Sequence, residues 1–277
     1  MFSFIYRKLE GVYVVYFSVC ILVLSFLMVY FFDLQNAFGV RDFFVEQYDT
    51  WPFFWYHWFK NGGPIEIIQY LFLGLASLVS IRNASIDASI NNNNTRHLKN
   101  FWYLMGFALL LMLIEDAGDP RHTIRIYVQA IVGEEEQGFF GTMTELIYFC
   151  ALAFFPIYAF LRYGGRTLYQ STKTKIYFLI GFLFYAMATG ASFAGSAFHS
   201  LIDKNFYMIT GRYLLDILVT LGDQKTAELY SVNKDWISFY LMDSPVEESL
   251  ELLGASLLLA ACISYGKGFI LYNYKKE

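Results

Sequence analysis

Residues 11–32 form an apolar run that no charged side chain interrupts, directly behind Arg7 and Lys8. Backbone amides and carbonyls cannot be left unpaired in hydrocarbon, so a run of this length commits the chain to a membrane-spanning helix. A cleaved secretory leader has a shorter apolar core and a small-residue cleavage site, so the run reads as a retained first span. Five further runs follow, near 64–81, 101–116, 142–161, 176–198 and 246–265. Only 16% of the chain is charged, against about 25% in an ordinary soluble domain. The expected fold class is therefore an all-α integral membrane protein. It is one polytopic domain over 1–277 with about six transmembrane helices and outer loops at 33–63, 117–141 and 199–245.

Basic residues in the connections set the orientation. With the N-terminus inside, segments 1–10, 82–100, 162–175 and 266–277 carry 12 of the 20 bases and three acids, a balance of +9. The remainder carries −13, so N-terminus and C-terminus both inside is a self-consistent arrangement. That rule fits a bacterial or archaeal plasma membrane. Nucleic-acid binding finds no support, because these bases are the ordinary inner-loop excess.

Local features add detail. Pro156 is expected to kink the fourth span, and the small-residue run 188–197 to let a neighbouring helix approach. Asn91–Asn94 reads as a loop tip. Trp51-Pro-Phe-Phe-Trp-Tyr-His-Trp-Phe59 reads as an interfacial aromatic belt, folded as a short helix, ahead of an aromatic ligand cage. The run 213–221 is too short to span and is expected to pack on the outer rim. Cys20, Cys150 and Cys262 form no C-x-x-C pair and read as small buried hydrophobes.

The acids near the spans all fall at outer ends. Glu66, Glu145 and Glu247 sit in helix-start patterns: Gly63-Pro-Ile-Glu66, Thr142-x-x-Glu145 and Ser244-Pro-Val-Glu247. These are read first as caps. Capping does not explain Glu115 and Asp116, which end a span where the helix dipole disfavours negative charge. Asp119 and His122 follow within one turn, and Arg121 or Arg125 offers a plain ion-pair explanation. Glu248 and Glu251 stack in the last span at i and i+3, and His199 ends the fifth. Intramembrane carboxylates are costly and usually face a partner or a water-filled cavity. The candidate metal-site set is thus Glu115, Asp116, Asp119, His122, His199, Glu248 and Glu251.

Oxygen ligands with one or two imidazoles suit a divalent ion: calcium, manganese, zinc or iron. No H-x-x-x-H or H-E-x-x-H pattern accompanies them. Glu115-Asp-Ala-Gly-Asp-Pro-Arg-His-Thr123 faintly resembles the Glu-x-Gly-Asp-Lys/Arg-Ser/Thr signature of six-span calcium/manganese exchangers, and Leu221-Gly-Asp-Gln-Lys-Thr226 resembles a second copy. Both carry inserted residues and the second lacks the leading acid, so membership is not claimed.

The function expected first is an outer-face acidic site binding or transporting a cation, metal ion or proton. Conduction through the membrane is less supported, since the inner halves of the spans hold almost no charge. Two alternatives stand beside it. One is a non-catalytic subunit whose acidic face docks a membrane protein partner or a second copy. The other is a membrane-embedded metal-dependent enzyme acting on a lipid, with His122 and His199 as ligands and a glutamate as general base. A hydrolytic set of Ser196, His199 and a carboxylate is a minor reading.

Overall fold

The structure is a computed structural model that describes residues 10–48, 53–89, 96–132, 137–165, 171–196 and 206–274. Among the described residues it is helical throughout, with no strand. Six helices are long and apolar enough to cross a membrane: Gly11–Leu34, Phe54–Ile86, His97–Gly118, Phe139–Gly164, Thr172–Ala194 and Lys234–Gly268. Each coincides with one of the six apolar runs, and five of them begin before the run does. Helix formation is cooperative, so a helix nucleated by an apolar stretch propagates into polar flanks until something stops it.

In chain order the helices are α1 (Gly11–Val29), α2 (Val40–Gln47), α3 (Phe54–Phe59), α4 (Pro64–Ser89), α5 (Arg96–Gly118) and α6 (Pro120–Ile131). They continue with α7 (Gln137–Ala159), α8 (Thr172–Ser196), α9 (Phe206–Leu221), α10 (Gln224–Val232), α11 (Lys234–Leu241) and α12 (Glu247–Tyr274). Wide π turns extend α1 over Tyr30–Leu34 and α7 over Phe160–Gly164, and a third, Met242–Val246, links α11 to α12. Pro156 lies inside α7, one turn before its π extension. The Asn91–Asn94 tract lies outside the described residues.

Two compact units divide the chain. The first comprises Met1–Ser18, Gln69–Tyr185 and Leu253–Glu277; the second comprises Val19–Ile68 and Ala186–Leu252.

In the first unit α7 packs against both α5 and α6. Its core holds Phe101, Trp102, Met105, Phe178 and Leu258, all buried, with the Trp102 and Tyr265 rings 4.5 Å apart. Polar groups buried there bond to backbone carbonyls: Ser77 Oγ to Gly106 O at 2.8 Å and Asn83 Nδ2 to Cys262 O at 3.0 Å. Close helix approach occurs at Gly254, where a Cβ would sit 2.6 Å from Tyr185 Cδ2. In the small-residue run 188–197, Ala188 and Ser192 are buried, whereas Gly190 has nothing within 4 Å. A small residue permits contact but does not create it; the partner's surface decides. Three of the four segments that the basic-residue count groups together border one cavity, through Glu10, Lys173 and Lys267.

In the second unit α9 lies along α11. A side chain at Gly211 would collide with the Ser238 carbonyl, so the two backbones touch there. The aromatic stretch does form a short helix, α3, but Trp55 and Phe59 are fully buried in it rather than spread along an interface. Trp55 Nε1 donates to Tyr230 Oη at 3.2 Å. The segments expected to be outer loops are mostly helical, because a long connection at this level still has to pair its backbone groups. Of the cysteines only Cys262 is buried; Cys20 and Cys150 are exposed.

Candidate functional site

The first unit gathers acids where α5 turns into α6. Helix α5 ends at Gly118, and Asp119 takes a left-handed conformation with φ 45°, which few non-glycine residues adopt. Pro120 then occupies the first turn of α6, where its missing N–H is no loss. This reversal carries α6 back along α7.

Four carboxylates meet two arginines and one imidazole there. Arg121 Nε lies 3.4 Å from Glu115 Oε1, and its guanidinium stacks 4.7 Å over the Phe149 ring. Asp116 Oδ2 accepts from Gln69 Nε2 at 2.7 Å, and its carbonyl accepts from the Tyr70 hydroxyl at 2.7 Å. Asp119 Oδ1 and His122 Nδ1 are 2.6 Å apart, both about half exposed. Arg125 Nη1 donates to Glu145 Oε1 at 2.5 Å, with the Glu145 side chain wholly buried. The plain ion-pair explanation therefore covers Glu115 in part and Glu145 fully. The Tyr148 hydroxyl also bonds the Glu115 carboxyl, and Glu115 Oε2 is among the buried polar atoms that meet no partner at hydrogen-bond geometry among the described residues.

Two of the three cap readings give way. Helix α7 begins at Gln137, so Thr142 and Glu145 lie inside it, and Glu145 answers Arg125 instead of capping. Ser244 and Pro245 sit within the π turn that joins α11 to α12, so no helix starts at Ser244, and Glu247 accepts from the Tyr207 hydroxyl. Burial first, and then the Glu247 carboxylate, raise the Tyr207 pKa well above its ordinary value. Glu66 does serve the start of α4, accepting from the Gly62 amide.

Of the seven residues singled out from sequence, Glu115, Asp116, Asp119 and His122 lie together in the first unit. Glu248 and Glu251 belong to the second unit, Glu248 buried and Glu251 partly so. His199, with the hydrolytic set built on it, lies outside the described residues. Among the described residues, no group of three or more His, Cys, Asp or Glu side chains is arranged to hold a metal ion.

A second polar centre, not foreseen, lies in the second unit. Asp33 is buried and accepts from the Phe54 and Trp55 amides at 2.8 Å each, capping α3 across twenty residues of chain. Arg41, also buried, clasps Asp223 with both terminal nitrogens, at 2.6 and 3.0 Å, and donates to Thr226 Oγ1 at 2.5 Å. Asp223 Oδ1 in turn accepts from the Thr226 amide at 2.8 Å, capping α10. The Arg41 hydrogen bond, foremost, holds the Asp223 carboxyl well below the usual carboxylate range. This accounts for Leu221–Thr226 as a helix cap locked by an arginine. The cap pattern Asp223-x-x-Thr226 was visible in the sequence, but its partner 182 residues away was not.

No protein-family profile matches the chain, and no curated protein or solved structure is significantly similar to it.

Proposed function

We propose that this chain is a multi-pass membrane protein whose Glu115 cluster, on the outer face, binds a cation, and that the cation exchanged there is a proton. The observation that carries this is Glu115 Oε2, a buried oxygen with no hydrogen-bond partner among the described residues although Tyr148 and Arg121 both approach the carboxyl, in a cluster where acids outnumber arginines two to one. Burying an unsatisfied polar oxygen costs about 1–3 kcal/mol, and a bound cation removes that cost. Asp116, Asp119 and Glu145 each already have their own donor, which suits a proton at one carboxylate more than a metal ion needing several converging oxygens. His122, 2.6 Å from Asp119 Oδ1 and about half exposed, supplies an imidazole placed to relay protons between solvent and the cluster.

Thermal unfolding of the detergent-solubilised chain from about pH 5 to 8 tests this, comparing the wild type with Glu115→Gln. The wild type should show a pH-dependent melting temperature, and Glu115→Gln should flatten it, with His122→Asn separating the histidine's share. Stabilisation by about 1 mM Ca²⁺ or Mn²⁺ that vanishes in Glu115→Gln would move the site to a metal ion. Identical pH and metal responses in wild type and variant would refute the cation site.

A second reading is favoured by the face of α6 away from α7. Ile126, Tyr127 and Ile131 are 64%, 68% and 85% exposed there, beside the acids. Such a patch suits a partner subunit of a membrane assembly. Cross-linking from Ile131→Cys to a second polypeptide in native membranes would support that role.

A further inference from the structure

Away from the acid cluster, the first unit holds a cavity of about 290 Å³ between the start of α1, the start of α8 and the last turns of α12. Its charged walls are Lys173, Lys267 and Glu10, and its hydroxyls are Ser171, Tyr177 and Ser264. Two ammonium groups against one carboxylate leave the cavity positive. Lys267 Nζ donates to Glu10 Oε1 at 3.0 Å. Lys267 first, and then Lys173, hold the Glu10 carboxyl below its usual range, so both lysines project their charge onto one spot. Ser171 Oγ accepts from the amide and the hydroxyl of Thr174, at 3.3 and 2.9 Å, which leaves its own hydrogen to donate outward.

Lysine ammoniums and hydroxyl donors around a small cavity are phosphate-binding chemistry. The volume is at the low end for ligand sites, about 300–1,000 Å³, and so fits a headgroup rather than a whole lipid. A second feature extends the site. From Lys173 along the same face of α8 run Ile176, Leu179, Ile180 and Leu183, each 40–57% exposed. Residues at i+3, i+4 and i+7 share a helix face, so an apolar track leads directly away from the charged mouth.

We propose that this pocket binds the phosphate of an anionic glycerophospholipid, with its acyl chains along the Ile176–Leu183 face of α8. Lys173 and Lys267 supply the charge and the three hydroxyls supply donors. Glu10 holds Lys267 in place in the empty pocket and yields it to the phosphate when lipid arrives.

The test is thermal unfolding of the full chain in a neutral detergent, titrated separately with dioctanoyl-phosphatidylglycerol, dioctanoyl-phosphatidylcholine and inorganic phosphate. Phosphatidylglycerol should stabilise saturably, and the net-neutral phosphatidylcholine should bind about tenfold more weakly. The double variant Lys173→Gln/Lys267→Gln should lose at least about tenfold in phosphatidylglycerol affinity. Glu10→Gln, which removes the competing anion and threatens no core packing, should gain about threefold. That gain keeps the proposal falsifiable if the lysine variant fails to fold. Inorganic phosphate binding as tightly as the lipid would overturn the lipid assignment in favour of a free phosphate. Equal affinity for both lipids, or an unchanged Glu10→Gln, would overturn the pocket.

Discussion

The Arg41 centre and the Glu115 cluster are built from the same side-chain types and end in opposite states. Around Arg41 every carboxylate oxygen has a donor: Asp33 takes two amides, and Asp223 takes both arms of the guanidinium and an amide, so the buried atom there without a partner among the described residues is a donor, Arg41 Nε. Around Glu115 the arginines are divided among too many acids, and Oε2 is left over. Carboxylates whose oxygens are all taken offer a cation nothing to bind. A carboxylate oxygen with no donor is where the proposed cation would bind. Local charge density alone does not separate the two; the pairing does.

The contrast is broken most directly at Arg41. Arg41→Met leaves Asp223 without its clasp and removes a cation from beside buried Asp33. The guanidinium is buried and makes four of the centre's hydrogen bonds, so the variant should melt well below the wild type or fail to elute as a monodisperse peak. Glu115→Gln, made in the acid cluster, should change the melting temperature at neutral pH much less. Equal losses would erase the distinction between the centres.

A smaller effect concerns acid. The folded-state pKa of Asp223 is depressed, so its contribution is fully present above the unfolded value, near pH 4, and is lost as pH falls below it. Its side chain is 43% exposed, so screening holds the contribution to about 1 kcal/mol. Asp223→Asn should therefore be less stable at neutral pH and lose less on acidification below about pH 4. An acid limb identical to the wild type's would remove Asp223 from the account.

The smallest effect lies at the rim of the same centre. Lys225 Nζ bonds Asp42 Oδ1 at 2.8 Å, both side chains well exposed, and this bond foremost lowers the Asp42 pKa. Lys225→Ala should lower the melting temperature only slightly, and less at high salt. A loss approaching that of Arg41→Met would mean that the arginine-clasped centre extends to its surface.

What was legible follows from the range of each interaction. Apolar runs of membrane length are local signals, and all six became helices. Cap patterns are local too but degenerate: Gly63-Pro-Ile-Glu66 caps a real start, whereas Thr142 and Glu145 lie inside a helix already under way. Glu115 and Asp116 were marked because a carboxylate at a helix C-terminus opposes the dipole, and they do lie in a charge cluster. Whether Arg121 and Arg125 would answer Glu115 and Glu145 depended on α6 folding back along α7, which the left-handed turn at Asp119 brings about.

Hydrocarbon length and backbone pairing are properties of consecutive residues, so the sequence alone determined six apolar helices and an excess of acid in their connections. Which acids are satisfied depends on residues far apart in the chain: Asp33 with Trp55, Arg41 with Asp223, Gln69 with Asp116. A hydrogen bond is decided by distances of a few tenths of an ångström, and only the packed helices set those. Tertiary structure therefore set one centre whose carboxylate oxygens are all taken beside one where Glu115 Oε2 has no donor among the described residues.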